Sequence, residues 1–280
     1  MGDRPLRFAV IGNPIAHSRS PDIHARFAEQ TGIALVYERR LSPLDGFDAS
    51  IDAFFAEGGQ GLNVTVPFKE LAWERAREHL TPRAREAGAV NTLWPRDGAL
   101  IGCNTDGVGL LRDLQRLGVM LAGAHVLVVG AGGAARGAVA TLREAGCASL
   151  HVANRTASRA HALVADLGQR GTPLTASDLA GAARPGGWTV VINATASGLQ
   201  DTAPDLPEGI YAPGAWAYDM VYGSRPTPFM QAAQAAGAAT ADGLGMLVEQ
   251  AAESFFLWHG VRPDTAPVIA HLRAQLAAGG

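Results

Sequence analysis

The chain has 280 residues, 48% hydrophobic and 18% charged, which suits one large domain or two smaller ones and excludes a disordered protein. A formal net charge of −3 excludes a global field that would recruit nucleic acid or an anionic membrane, and no apolar run reaches membrane-spanning length. Aromatic residues make up only 6% while Gly and Ala abound, which favours closely packed helices over an all-β sandwich. The opening MGDRPLRFAV runs directly into a strand pattern without a leader, so the expected compartment is the cytoplasm. Cys103 and Cys147 lack metal-ligand spacing and read as small buried residues of a reducing compartment.

Leu6–Ile11 is a short apolar strand that stops at Gly12. Ser20-Pro21 opens a helix to about Gln30, with Ser20 as N-cap and Pro21 in the first turn. Leu35–Arg40 is a strand, Ile51–Glu57 lies in a helix, and Gly61–Val66 is a strand stopped by Pro67. Arg83–Ala87 is helical, and Ala89–Trp94 with Ala99–Cys103 forms a hairpin around Asp97-Gly98. Val108–Leu117 is a helix ending at Gly118. His125–Val129 is then a wholly apolar strand that enters GAGGAARG and a helix to about Ala145. Leu150–Ala153, Thr189–Asn193 and Ala215–Asp219 read as strands, and Ala157–Leu167 and Pro228–Ala236 as helices. Met246–His259 and Pro267–Ala277 close the chain as helices. The alternation predicts an α/β protein with two α/β units and a boundary near Thr105, the second unit being a doubly wound parallel sheet.

Two signals point to chemistry. In the first, Gly130, Gly132 and Ala135 give G-x-G-x-x-A directly between a buried strand and a helix. Gly130 permits the tight turn, Gly132 lets the backbone approach a pyrophosphate, and Ala135 lets helix and strand pack closely. An NAD site ordinarily carries an acid near the end of the next strand. Here the chain reads HVANRTASR, without one. Arg155 and Arg159 lie four apart at a helix start and suit a 2′-phosphate, with Asn154 and Thr156 as further donors. On their own they read as two solvated arginines; the missing acid favours NADP. The second signal is compositional: 22 Arg stand against a single Lys, Lys69. A coding bias replaces surface Lys by Arg at little cost, but Arg cannot replace a lysine that must lose its proton.

Polar clusters gather where strands end: Ser18 and Ser20; Asn63, Thr65 and Lys69; Asn91; and Asn104, Thr105 and Asp106. The carboxyl ends of parallel strands line one edge of a sheet, where ligands bind. Together the clusters suit a small ligand with several hydroxyls and a carboxylate, the latter beside the serines at the helix mouth. Singly, Ser20 is a helix cap, Asn91 and Asn104 are turn residues, Asp106 caps the next helix, and Lys69 is a surface charge. His17, His24 and His259 read as structural. Their convergence carries the functional reading.

These blocks resemble the shikimate dehydrogenase family. NPIAHSRSPDIH, NVTVPFKE, GAVNTLW, NTDGVG, GAGGAARG, NRTASR, INATASG, YDMVYG and DGLGMLVEQAAESFFLWHG occur in the family's order from about residue 8 to 270. The resemblance implies reversible NADP(H)-dependent reduction of 3-dehydroshikimate to shikimate, in chorismate and aromatic amino-acid biosynthesis. It implies that Ser18 and Ser20 bind the substrate carboxylate, that Thr65, Asn91, Asp106, Tyr222 and Gln250 surround the ring, and that Lys69 and Asp106 are the catalytic pair. On the cofactor side it implies Gly130, Ala131, Gly132, Gly133 and Ala134, then Asn154, Arg155, Thr156, Ala157, Ser158 and Arg159, with Met220 and Gly243. It also implies that the last helices return to the first domain, giving a substrate domain of 1–105 plus 246–280 and an NADP domain of 106–245, with Gln250 in the cleft. Ser20 and Arg155 resemble the shikimate-specific, NADP-preferring type rather than relatives that also oxidise quinate.

The mechanism implied has the alkoxide taking a proton from Lys69. A free lysine titrates near 10.4; desolvation lowers that value and a close carboxylate raises it, so a neutral base and a protonated clamp both remain open. Three other readings share parts of the pattern. A related enzyme could act on quinate or an amino analogue. A tetrahydrofolate-type dehydrogenase shares the plan and a lysine but leaves the paired serines unexplained. A non-catalytic sensor leaves Lys69 and Asp106 unexplained. The expected partner is a small-molecule substrate, with no nucleic acid, no membrane, no metal and a homodimer as one possible assembly. Gly107 and Gly109 beside the boundary suggest a hinge.

Overall fold

The computed structural model describes residues 5–168, 171–195 and 202–279. The end of the INATASG block, 196–198, and the first four residues of the chain lie outside them. Two compact units emerge: Met1–Asp106 with Val248–Val268, and Gly107–Leu247 with Ile269–Gly280. The sequence reading takes 246–280 as one block with the first unit. The contacts divide that block at Val268 and group its end with the second, where Arg273 makes a two-pronged ion pair with Asp242 and Leu272 is buried.

The first unit runs β1 (Leu6–Gly12), α1 (Ser20–Thr31), β2 (Leu35–Leu41), α2 (Phe47–Ala56), β3 (Gly59–Val64), α3 (Lys69–Arg75), α4 (Pro82–Ala87), β4 (Thr92–Arg96) and β5 (Ala99–Cys103). Its sheet has the order β2-β1-β3-β4-β5. β2, β1 and β3 are parallel, and β4 returns antiparallel to β3 and to β5. The predicted hairpin turn is present: Asp97 and Gly98 both take positive φ, 51° and 79°, as a two-residue hairpin turn of this hand requires. Ile11, Phe54, Leu62, Phe68 and Leu93 are buried in one cluster that fixes the β1–β3 edge. Two local expectations change. β3 ends at Val64 rather than Val66, because Thr65 turns out of the strand and its carbonyl accepts from the Phe68 amide. Ser20 is the first helical residue rather than the cap; Arg19 stands at the cap position and its side chain makes no capping hydrogen bond, and the Ser20 hydroxyl pairs with Ser18.

The second unit follows α5 (Asp106–Arg116) with β6 (His125–Val129), α6 (Gly133–Leu142), β7 (Ser149–Ala153), α7 (Ala157–Leu167), β8 (Leu174–Ser177), β9 (Trp188–Asn193), β10 (Tyr211–Asp219), α8 (Pro228–Ala235) and β11 (Ala239–Asp242). α9 (Leu244–His259) and α10 (Ala266–Ala278) complete the chain. The sheet order is β11-β10-β9-β6-β7-β8, every pairing parallel. Counted from β6, this is the doubly wound 3-2-1-4-5-6 order, whose direction reverses between β6 and β9. Val126, Val128, Val152 and Ile192 are buried on one face and Leu127, Val129 and Val191 on the other, so helices cover both. β8 and β11 have no counterpart in the sequence reading: each is four residues long with one buried side chain, too little apolar pattern to register. Gly107 has a packing reason. A Cβ there would press on the Gly137 carbonyl and the Thr141 hydroxyl of α6. Among the described residues no helix is long and apolar enough to cross a membrane.

Candidate active site

In the first unit the turn after β3 delivers Lys69 as the first residue of α3. β5 ends at Cys103, and Asn104 bonds its side chain to the Asp106 amide, so Asp106 opens α5. The two meet: Lys69 Nζ donates to Asp106 Oδ2 at 2.6 Å. The pair is part-buried, with the lysine side chain 30% and the aspartate 17% exposed, open enough for a small ligand to reach. Asp106 Oδ1 accepts from Asn91 Nδ2 at 2.8 Å, so both carboxylate oxygens are held.

Asn91 is the junction of a wider network. Its Nδ2 also reaches Thr105 Oγ1 at 2.9 Å and Gln250 Oε1 at 3.4 Å, and its Oδ1 accepts from the Thr105 amide and the Thr92 hydroxyl, each at 2.9 Å. Gln250 comes from α9, which brings it beside Asn91 and Thr105 within this unit. Ser18 and Ser20 stand together, their hydroxyls 3.2 Å apart, and the Arg39 guanidinium holds the Ser18 carbonyl. Thr65 lies in the turn before Lys69; its side chain makes no hydrogen bond among the described residues. Sequence reasoning passed over Thr92, Ser254 and Tyr37. Thr92 follows Asn91 in the same block, and Ser254 lies one turn after Gln250 on α9, so helical spacing was the available signal.

In the second unit Gly130 follows β6 with φ +116°, where a Cβ would crowd Ala194 and Thr195 after β9. A side chain there would fill the switch point. Gly132, Gly133 and Ala134 are exposed at the start of α6, and a Cβ at Gly132 or Gly133 would meet nothing within 4 Å. Their amides head a helix N-terminus with room for a pyrophosphate. Ala131 is half-buried behind them, and Ala135 is buried against the sheet core. At the end of β7, Asn154 Nδ2 bonds the Thr156 carbonyl at 2.9 Å and shapes the turn into α7. Arg155, Thr156, Ser158 and Arg159 are exposed there, with Ala157 half-buried. No carboxylate occupies the strand end, so the residues present fit an NADP adenosine end. Met220 and Gly243 lie against each other, since a Cβ on Gly243 would strike the Met220 carbonyl. The Met220 amide bonds the Asn193 carbonyl and the Gly243 amide the Val221 carbonyl, while Asp219 accepts from Asn193, Thr227 and the Val221 amide; burial pushes its carboxyl up despite these bonds. Tyr222 follows β10, half-buried, in this second unit.

A parallel sheet switched at a glycine turn, with arginines in place of the acid, defines a dinucleotide-dependent α/β oxidoreductase of the NADP type. Comparison with known proteins narrows the class. Residues 10–93 match the shikimate dehydrogenase substrate binding domain, 113–200 match shikimate / quinate 5-dehydrogenase, and 243–273 match the shikimate 5′-dehydrogenase C-terminal domain. The shikimate dehydrogenase (NADP(+)) of Bordetella avium (strain 197N) is 65% identical, over 99% of each chain. Among solved structures, an Ael1 enzyme from Pseudomonas putida superposes with a TM-score of 0.89 at 43% identity, covering 95% of this chain and 98% of that one. The shikimate 5-dehydrogenase of Thermus thermophilus, solved in complex with NADP(H) and shikimate, gives 0.85 at 38%, covering 96% and 99%. The chain belongs to the shikimate dehydrogenase family.

Proposed function

We propose that the chain catalyses the reversible NADPH-dependent reduction of 3-dehydroshikimate to shikimate, with Lys69 moving the proton and Asp106 holding Lys69 and the substrate. The observation that carries the residue assignment is the 2.6 Å Lys69–Asp106 bond set in the Asn91 network. The relatives' NADP(+)-dependent activity supports the reaction, and the open turn at Gly130–Ala134 with Arg155 and Arg159 supports the cofactor.

When bound, the dinucleotide would be held by the Gly130–Ala134 turn with Arg155 and Arg159 and would supply the hydride for the ketone carbon. The carbonyl oxygen then carries the displaced electron pair and takes a proton from Lys69 Nζ; in the oxidation direction Nζ accepts the hydroxyl proton. Asp106 keeps Nζ aimed and offers its carboxylate to a neighbouring hydroxyl. Asn91, Thr65 and Gln250 complete the ring contacts, and the Ser18 and Ser20 hydroxyls take the carboxylate. The cytoplasm is the compartment, in keeping with two buried cysteines that form no disulfide. A homodimer is the assembly proposed, on the exposed apolar side chains Val36 and Leu41 of edge strand β2.

Lys69→Ala and Lys69→Arg test the pair. Both variants should lose about 10²- to 10⁴-fold in kcat, the range for positioned acid–base groups, because arginine keeps the charge but cannot release its proton at neutral pH. Near wild-type kcat in Lys69→Arg would reduce Lys69 to an electrostatic clamp, and an unchanged Lys69→Ala would remove it from the mechanism.

A further inference from the structure

We infer that Thr92 is a positioning residue for this reaction, its hydroxyl fixing the Asn91 amide so that Nδ2 faces Asp106. The inference rests on the reading of Lys69 and Asp106 as the working pair. Thr92 opens β4, is fully buried, and lies directly opposite Asn63 in the antiparallel register with β3.

The direction of each hydrogen bond can be followed from the far end. The Tyr37 hydroxyl reaches Asn63 Oδ1 at 2.7 Å, which turns Asn63 Nδ2 inward to Thr92 Oγ1 at 3.1 Å, the Asn91 carbonyl at 3.0 Å and Ser254 Oγ at 3.0 Å. Thr92 Oγ1 therefore accepts on that side. Ser254 sends its own proton to Thr92 Oγ1, 2.8 Å away, leaving its oxygen as an acceptor for Asn63. The single Thr92 proton then serves Asn91 Oδ1 at 2.9 Å. Oδ1 also takes the Thr105 amide, so the reversed amide would set Nδ2 against a backbone N–H and Oδ1 against the Asp106 carboxylate. The result is a chain of donors, Tyr37 to Asn63 to Thr92 to Asn91, ending on Asp106 Oδ1 opposite the Lys69 ammonium on Oδ2. Such buried chains strengthen bond by bond, and losing one link loosens the rest.

Thr92→Val keeps the shape and removes only the hydroxyl; Thr92→Ser restores it. In Thr92→Val, kcat should fall about tenfold, the worth of one net hydrogen bond, with KM for NADPH unchanged. The pH profile of kcat should also shift. Thr92→Ser should return both kcat and profile to wild type. Wild-type kcat and pH profile in Thr92→Val, while Lys69→Ala is inactive, would overturn the inference and leave the catalytic pair standing. Loss of activity that tracks a lowered Tm and is not rescued by Thr92→Ser would also overturn it, as packing. An active Lys69→Ala would instead bring down the underlying reading. Should Thr92→Val fail to fold, Tyr37→Phe decides: it removes the first donor, and an unchanged kcat and pH profile there contradicts the chain.

Discussion

Asp106 shows how one residue is given its place by several others. Lys69 and Asn91 each take one carboxylate oxygen, and the Asn104 side chain holds its backbone amide, so its position is set from both ends. Arg155, proposed to hold a 2′-phosphate, is exposed, and its assignment rests on the absence of an acid beside it. Arg155→Ala should therefore lower kcat/KM for NADP by about tenfold or more and leave NAD nearly unchanged, since a directed bond to a phosphate is among the stronger kinds. An unchanged ratio of the two kcat/KM values would remove Arg155 from cofactor selection. His24, read from sequence as structural, is enclosed by Tyr37, Phe27, Phe255 and Trp258. Burial, with the His259 ring beside it, pushes its imidazole down to about 3 from 6.5. The unfolded chain takes up this proton near pH 6.5 while the folded chain refuses it until about pH 3. Stability contributed by the neutral ring is thus present above 6.5 and lost as pH falls through that window, by about 1.4 kcal/mol per pH unit at most. Denaturant midpoints of His24→Phe should fall less steeply than wild type between pH 6 and 4 on the same reasoning; parallel slopes would show that His24 is not the group responsible.

At the scale of elements, the site depends on where strands stop and helices begin. α5 approaches α6 so closely that Gly107 has no room for a Cβ beside Gly137 and Thr141. Gly107→Ala should cost about 1–3 kcal/mol by overpacking, read as a Tm several degrees lower; a melt unchanged from wild type would mean the α5–α6 contact yields freely. The short apolar strand β6 and the glycine turn after it were legible in the sequence because an apolar buried strand and a helix N-terminus each leave a strong local pattern. The hairpin at Asp97-Gly98 was legible for the same reason. What the sequence could not show was the buried polar wiring. Thr92 and Ser254 meet from β4 and α9, 162 residues apart, and Ser20 looks like a helix cap until the helix is seen to start on it. β8 and β11 escaped because their side chains are mostly half-exposed and carry no period.

At the scale of the whole molecule, the chain joins two units with different tasks. The first gathers Ser18, Ser20, Lys69, Asn91, Asp106 and Gln250, and the second carries the Gly130 turn, Arg155 and Arg159 about the start of α7, and Tyr222. Neither unit alone explains a hydride transfer, and the α/β fold by itself does not choose a substrate. That choice rests on the polar side chains of the first unit and on the family to which the chain belongs. The most direct measurement is NADPH oxidation, followed at 340 nm, by the purified full-length chain with 3-dehydroshikimate. We expect stoichiometric consumption of NADPH with formation of shikimate, and a much lower kcat/KM with NADH. A folded chain that binds NADPH yet leaves it unoxidised in the presence of 3-dehydroshikimate would contradict the account.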